Sequence, residues 1–298
     1  MVNLSKRADP ERELERGGHP AIMVGMTWSS ERLDLEGYLA RIGFEGKPTP
    51  DLETLRGLHR AHVASIPFEN LEIVLGRPVL LDIDDLQRKM VRRRRGGYCY
   101  EQNSLFAAVL ERIGFPVTGW GARVRAGARS LRAVTHMVLK VEADGEQWLC
   151  DVGFGGEGLL EPFLLQETGV VRQGGWDFEL GAEDEGVRVL RTRRPDGWGD
   201  LYAFTSERRH PVDYTLMNYY TSTHPRSSFT GRTVAQRTSA EARFRLVDQD
   251  FSVVRADGSH DERLVPAEEL PAVLAEVFGI ELDADDSAEL IRVHSVGE

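Results

Sequence analysis

The stretch Arg95-Gly96-Gly97-Tyr98-Cys99-Tyr100-Glu101-Gln102-Asn103, running on to Ile113 and Gly114, decides how the chain is organised. Two adjacent glycines let the backbone turn tightly and approach another group closely. Beyond them, Leu105, Phe106, Val109, Leu110 and Ile113 recur at helical spacing. The spacing predicts a helix over 99–113 with one apolar face, stopped by Gly114. Cys99 then stands at a helix N-terminus, where partial positive charge and free amide donors gather. Both favour a thiolate, and the same amides suit an oxyanion formed during acyl transfer. The residues alone leave two readings side by side: a nucleophile, or a small cysteine packing a helix start.

The segment before this stretch reads as helices. Leu33, Leu35, Leu39 and Ile42 predict a helix over 31–42 ending at Gly43. Leu52, Leu55, Leu58 and Val63 predict another over 51–64 behind Asp51 as N-cap. Asp82 and Asp84 suit the start of a third, through Leu86 and Met90. After Phe115 the pattern alternates, broken by Asp-Gly pairs at 144–145, 196–197 and 257–258. Residues 116–205 read as antiparallel strands forming a small barrel. The tail is mixed: strands over 244–254, then a helix over 266–278 with Pro266 at its first turn and Gly279 beyond it.

One hairpin can be read in register. Val134 to Val141 alternates, as does Gln147 to Val152, and Asp144-Gly145 between them suits a two-residue type I′ turn. That turn pairs 143 with 146, which sets Asp151 opposite Val138 and diagonal to His136 on one face. Such diagonals lie roughly 7–8 Å apart. A carboxylate beside an imidazole fixes its tautomer and supports its charged form. Taken alone, the pair also reads as a surface His beside a strand-end Asp. Taken with Cys99, it completes a nucleophile, a base and an orienter, as a thiol acyl-transfer or hydrolase site requires.

The rest of the sequence narrows the field. At 298 residues the length prior is about two domains. Two cysteines exclude a disulfide framework and a four-cysteine zinc site. A net charge of -11 disfavours nucleic acid as a partner. No apolar run approaches the ~18 residues of a membrane span. Ala21 to Met26 is shorter than the core of a secretory signal, so the expectation is cytoplasmic. Residues 1–26 read as a polar extension, with Met26 as an alternative start. His59 and His62 have no third ligand and read as core or solvated histidines, so no metal is expected. Arg92 to Arg95 reads as the solvated end of a helix. Cys150 alternates to the face opposite Asp151 and reads as buried and inert. Gly153, Gly155 and Gly156 lack the spacing of a dinucleotide fingerprint. Asp283, Asp285 and Asp286 lack that of a calcium loop.

Several separated motifs carry a resemblance. Pro67-Phe68-Glu69-Asn70-Leu71, Arg95-Gly96-Gly97-Tyr98-Cys99, Thr135-His136, Asp151-Val152-Gly153-Phe154-Gly155 and Thr223-His224-Pro225 with Ser227 and Phe229 together resemble the bacterial arylamine N-acetyltransferases. The matching motifs span about residues 33–230. The resemblance implies an α+β fold with a cysteine-protease-like Cys-His-Asp core. It would comprise a helical bundle over 27–114, a β-barrel over 115–222 and an α/β lid over 223–298. It also implies acetyl-CoA as co-substrate, arylamine, arylhydrazine or arylhydroxylamine acceptors, and a part in xenobiotic metabolism. Matched by position, Cys99 is the acetylated nucleophile, His136 its base and Asp151 the partner of His136. Arg95 and Glu69 match a pair that braces the loop before the cysteine. Phe68, Val124, Thr135, Gly153, Phe154 and Phe229 match positions that line the acceptor pocket.

Three rival readings remain open at this point. An amide synthase closing a macrolactam on a carrier-bound polyketide would keep the chemistry and change the acceptor. A papain- or transglutaminase-like thiol hydrolase uses the same residue order. A non-catalytic binding module could share the fold, although the intact Cys, His and Asp argue against it.

Overall fold

The computed structural model describes residues 28–128 and 130–295; the 1–26 extension and Met26 lie outside them. Helices come first. α1 (Leu35–Ile42) starts later than expected because the Asp34 carboxylate accepts the Gly37 amide at 2.9 Å and so caps the first turn. α2 (Leu52–Ser65) is capped by Asp51, which accepts from Thr54 N at 2.8 Å. After the short α3 (Leu71–Val74), α4 (Ile83–Leu86) runs into a π-helical turn over Gln87–Arg92. α5 (Cys99–Ile113) has the predicted bounds, and Gly114 ends it at φ 111°.

Between α2 and α3 lies β1 (Phe68–Glu69). Eight antiparallel strands follow: β2 (Val117–Val124), β3 (His136–Ala143), β4 (Glu146–Cys150), β5 (Phe163–Leu164), β6 (Val170–Gln173), β7 (Trp176–Ala182), β8 (Arg188–Arg194) and β9 (Gly197–Arg209). They are ordered β5-β4-β3-β2-β9-β8-β7-β6 in one sheet. Its two edge strands are neighbours in sequence. Flat, they would stand about 34 Å apart at ~4.8 Å per strand, yet the link from Leu164 to Val170 reaches only about 21 Å. The sheet must therefore curl into a half-barrel. Gln173 helps join the margins, its Oε1 accepting from Leu160 N at 2.9 Å and its Nε2 donating to Glu161 O at 3.1 Å.

α6 (Pro211–Thr223) follows, a helix within the span expected to be barrel. A second sheet joins β1 to β10 (Val234–Thr238), β11 (Ala242–Val247), β12 (Asp250–Arg255) and β13 (His260–Leu264), all antiparallel. β1, from the first third of the chain, thus forms an edge of the C-terminal sheet. α7 (Leu270–Phe278) and α8 (Ala284–Ser295) contribute to the core beside it.

β3 is buried on both faces. Met137, Leu139 and Val141 join the core of α5 and the other early helices, whereas Val138 faces the barrel interior with Leu149. Strand alternation therefore sets this hairpin between two cores.

Candidate active site

The loop before Cys99 is stitched to β1. Gly97 N donates to Pro67 O at 3.2 Å, and Glu69 N donates to Gly97 O at 3.1 Å. Gln102 Nε2, one turn into α5, donates to the same Gly97 carbonyl at 2.7 Å. Gly96 permits this contact, since a Cβ there would lie 2.2 Å from Pro67 O. The Glu101 carboxylate accepts the Tyr98 amide at 3.1 Å and caps α5. Cys99 is thereby held as the first residue of the helix, 3% exposed, on the wall of a cleft.

The hairpin has the expected register, with Ala143 opposite Glu146 and Leu139 opposite Cys150. Asp144 and Gly145 at φ 51° and 79° supply the positive angles of the type I′ turn. His136 opens β3 and Asp151 follows β4. Their side chains meet, Nε2 to Oδ2 at 2.7 Å, at 3% and 1% exposure. With Nε2 engaged, Nδ1 is the ring nitrogen left for the Cys99 thiol. Burial pushes the imidazole pKa down, but the Asp151 charge and hydrogen bond, with a further contribution from Cys99, outweigh it and raise His136 to about 10. Burial likewise opposes ionisation of Asp151. His136, Asn103 and the Gly153 amide overcome that and hold it below the usual carboxylate range.

Two residues outside the expected set hold Asp151. Asn103 Nδ2 donates to Asp151 Oδ1 at 3.0 Å and to Met137 O at 2.8 Å, and its Oδ1 accepts Val152 N at 3.1 Å. Asn103 lies four residues after Cys99, on the same helix face; that spacing was the available signal. His59 donates from Nδ1 to Leu160 O at 3.0 Å and accepts the Asp151 amide on Nε2 at 3.3 Å. Its burial lowers its pKa to about 4. His62 is also a neutral core residue, lowered to about 3 mainly by burial, between the Tyr38 hydroxyl and Gln102. Nothing in the local sequence signals the role of His59, because its partners lie about a hundred residues away. Among the described residues no group of three or more His, Cys, Asp or Glu is arranged to hold a metal ion.

The cleft has a volume of about 1480 Å³, and Phe68, Val124, Thr135, Gly153, Phe154 and Phe229 all line it with Cys99 and His136. The Phe154 ring meets His136 edge-on at 5.3 Å, and Phe68 and Phe229 lie 5.8 Å apart. Such a wall suits a flat aromatic ligand. Gly153 brings its loop against α5, since a Cβ there would lie 2.8 Å from Cys99 Cα.

Arg95 and Glu69 sit behind this wall. The expectation of a solvated arginine run holds for Arg92, Arg93 and Arg94 but not for Arg95, which is 3% exposed. Arg95 Nη2 donates to Glu69 Oε1 at 3.0 Å, and Lys89 Nζ lies 3.4 Å from the same oxygen. Burial opposes the Glu69 charge, but Arg95 and Lys89 outweigh it and lower its pKa to about 2. Cys150 is buried in the helix-side core, and burial pushes its thiol well up. Among the described residues no helix is long and apolar enough to cross a membrane.

A family model described as N-acetyltransferase matches residues 51–287. An arylamine N-acetyltransferase from Mycolicibacterium smegmatis is 42% identical over 257 residues, covering 84% of this chain and 93% of that protein. The crystal structure of the Nocardia farcinica arylamine N-acetyltransferase matches with a TM-score of 0.85 at 45% identity, over 89% of this chain and 96% of that one. A Mycobacterium marinum arylamine N-acetyltransferase in complex with CoA matches with a TM-score of 0.81 at 36% identity, over 88% and 99% of the two chains. A more distant similarity, 32% over 243 residues, is to a proansamycin X synthase from Amycolatopsis mediterranei, covering 77% of this chain and 93% of that protein.

Proposed function

Since the chain belongs to the arylamine N-acetyltransferase family, we propose that it transfers an acetyl group from acetyl-CoA, through a thioester on Cys99, to an arylamine, arylhydrazine or arylhydroxylamine. The observation that carries this reading is Cys99 on the cleft wall with the 2.7 Å His136–Asp151 pair behind it. In the resting site His136 already carries the thiol proton, and Asp151 holds that imidazolium beside the Cys99 thiolate. The thiolate attacks the thioester carbonyl. The bond from carbonyl to CoA sulfur breaks, and CoA leaves with the proton from His136. The acceptor amine then attacks the acetyl-Cys99 carbonyl and gives its proton to His136. The carbonyl–Sγ bond breaks, and the starting ion pair returns. Arg95 and Glu69 fix the loop that presents Cys99, and Phe68, Val124, Thr135, Gly153, Phe154 and Phe229 surround the acceptor. A thiol nucleophile and two free cysteines suit a reducing compartment, in keeping with a cytoplasmic enzyme.

The amide-synthase reading has weaker support, a relative at 32% identity against 42% for the arylamine enzyme. Initial rates with acetyl-CoA and an arylamine varied together decide the point. Parallel double-reciprocal lines are expected for a two-step transfer. Intersecting lines, or peptide cleavage without any acyl-CoA, would overturn it.

A further inference from the structure

The cleft carries charge of the opposite sign to the whole chain. Nine arginines and four carboxylates line it, in a protein of net charge -11. The cations are not all neutralised in place. Arg243 is only 8% exposed, and its Nε has no hydrogen-bond partner. Its guanidinium lies 3.8 Å over the Trp176 ring and donates to Thr192 Oγ1 at 3.3 Å. Its one carboxylate neighbour, Glu157, is 3.9 Å away and already engaged by Arg194 at 2.8 and 2.6 Å. Burying a cation with so little compensation is costly. Two residues along β11, on the same face, Arg245 is exposed and has no ion pair among the described residues. The two side chains start about 7 Å apart and both line the cleft.

We propose that Arg243 and Arg245 form a phosphate subsite that holds the diphosphate end of the acyl donor while its thioester reaches Cys99. The inference rests on the acetyl-CoA reading above and adds where the donor is gripped. Phe68 lines the cleft beside Cys99, and the row Phe68–Gln236–Arg245 crosses from β1 to β11. Two strand spacings put the Arg245 backbone about 10 Å from that of Phe68, with the arginine side chain reaching further. The pantetheine arm has about four peptide units of backbone between sulfur and diphosphate, so it extends about 15 Å. An arm of that length is long enough to run from a thioester at Cys99, past Phe68, to the Arg245 end of this row in the same cleft. Paired guanidinium forks suit phosphoryl oxygens.

The test compares acetyl-CoA with S-acetyl-N-acetylcysteamine, a thioester without phosphate, as donors for Cys99. In Arg245→Ala the ratio of kcat/KM for acetyl-CoA to that for the small thioester should fall about 10- to 100-fold. Arg245→Lys should recover part of it, because a point charge remains. Calorimetric titration of CoA into Cys99→Ala, with and without Arg245→Ala, should show Kd rising by a similar factor. That titration needs no chemistry, so it decides the subsite even if neither donor acetylates wild-type Cys99, a result that would sink acetyl transfer itself. An unchanged donor ratio with an unchanged Kd would overturn the proposal, as would a rise in KM for the amine alone. Because Arg245 is exposed, the outcome does not depend on whether a variant at buried Arg243 folds.

Discussion

Asp151 governs the charge state of the proposed site. Its carboxylate is the main force that keeps buried His136 protonated, against burial that pulls the other way. Asp151→Asn keeps the shape and removes the charge, so acetylation of Cys99 should fall about 10³- to 10⁴-fold with the fold intact. The wild-type rate should hold across neutral pH and decline as His136 loses its proton near pH 10. In the variant that decline should move to lower pH. Stopped-flow acetylation across pH checks this, and a wild-type rate in Asp151→Asn would contradict it. The pair was legible in the sequence because an Asp-Gly turn fixes register. Arg95 was not legible from its own neighbourhood. A run of four arginines looks solvated until β1 brings Glu69, 26 residues away, beneath the last of them.

At the scale of elements, helix α5 and the β3–β4 hairpin followed from local rules: caps, apolar spacing and turn residues. α6 did not. It exposes Val212, Leu216 and Tyr219 and buries Asn218 and Thr221 along with Tyr214, so apolar spacing alone does not separate its inner face from its outer one. β1 is two residues long and gains its place from β10, a pairing across more than 160 positions. The Glu69 side chain adds an ion pair with Arg95 to the backbone bonds that stitch β1 to the Cys99 loop. Glu69→Ala would leave buried Arg95 without its 3.0 Å carboxylate partner, at a cost of about 3–5 kcal/mol. Urea unfolding should show this loss, and a midpoint near wild type would contradict the brace.

The whole molecule sets a pH window for stability. Buried His59 and His62 are lowered to about 4 and 3. The unfolded chain takes up their protons below about pH 6.5, so stability falls as pH drops from there. Asp151 and Glu69, both lowered, stabilise above the ordinary carboxylate pKa and lose that contribution in stronger acid. His136, raised to about 10, stabilises fully below about 6.5 and loses its contribution as pH rises toward 10. Melting temperature should therefore peak near pH 6.5, and Asp151→Asn should flatten the alkaline limb. A wild-type peak displaced well into alkali would contradict these assignments. The barrel expected over 116–205 takes the form of a curled half-barrel; what local sequence did not show is the strand order that puts β5 and β6 at its opposite margins.

The proposed reaction passes through a covalent acetyl group on one of two cysteines, one on the cleft wall and one sealed in the core. Intact-mass measurement after mixing with acetyl-CoA alone tests it most directly. One acetyl adduct on wild type, mapped to Cys99 and absent from Cys99→Ala, is the predicted result. No adduct on wild type, or an equal adduct on Cys99→Ala, would contradict it.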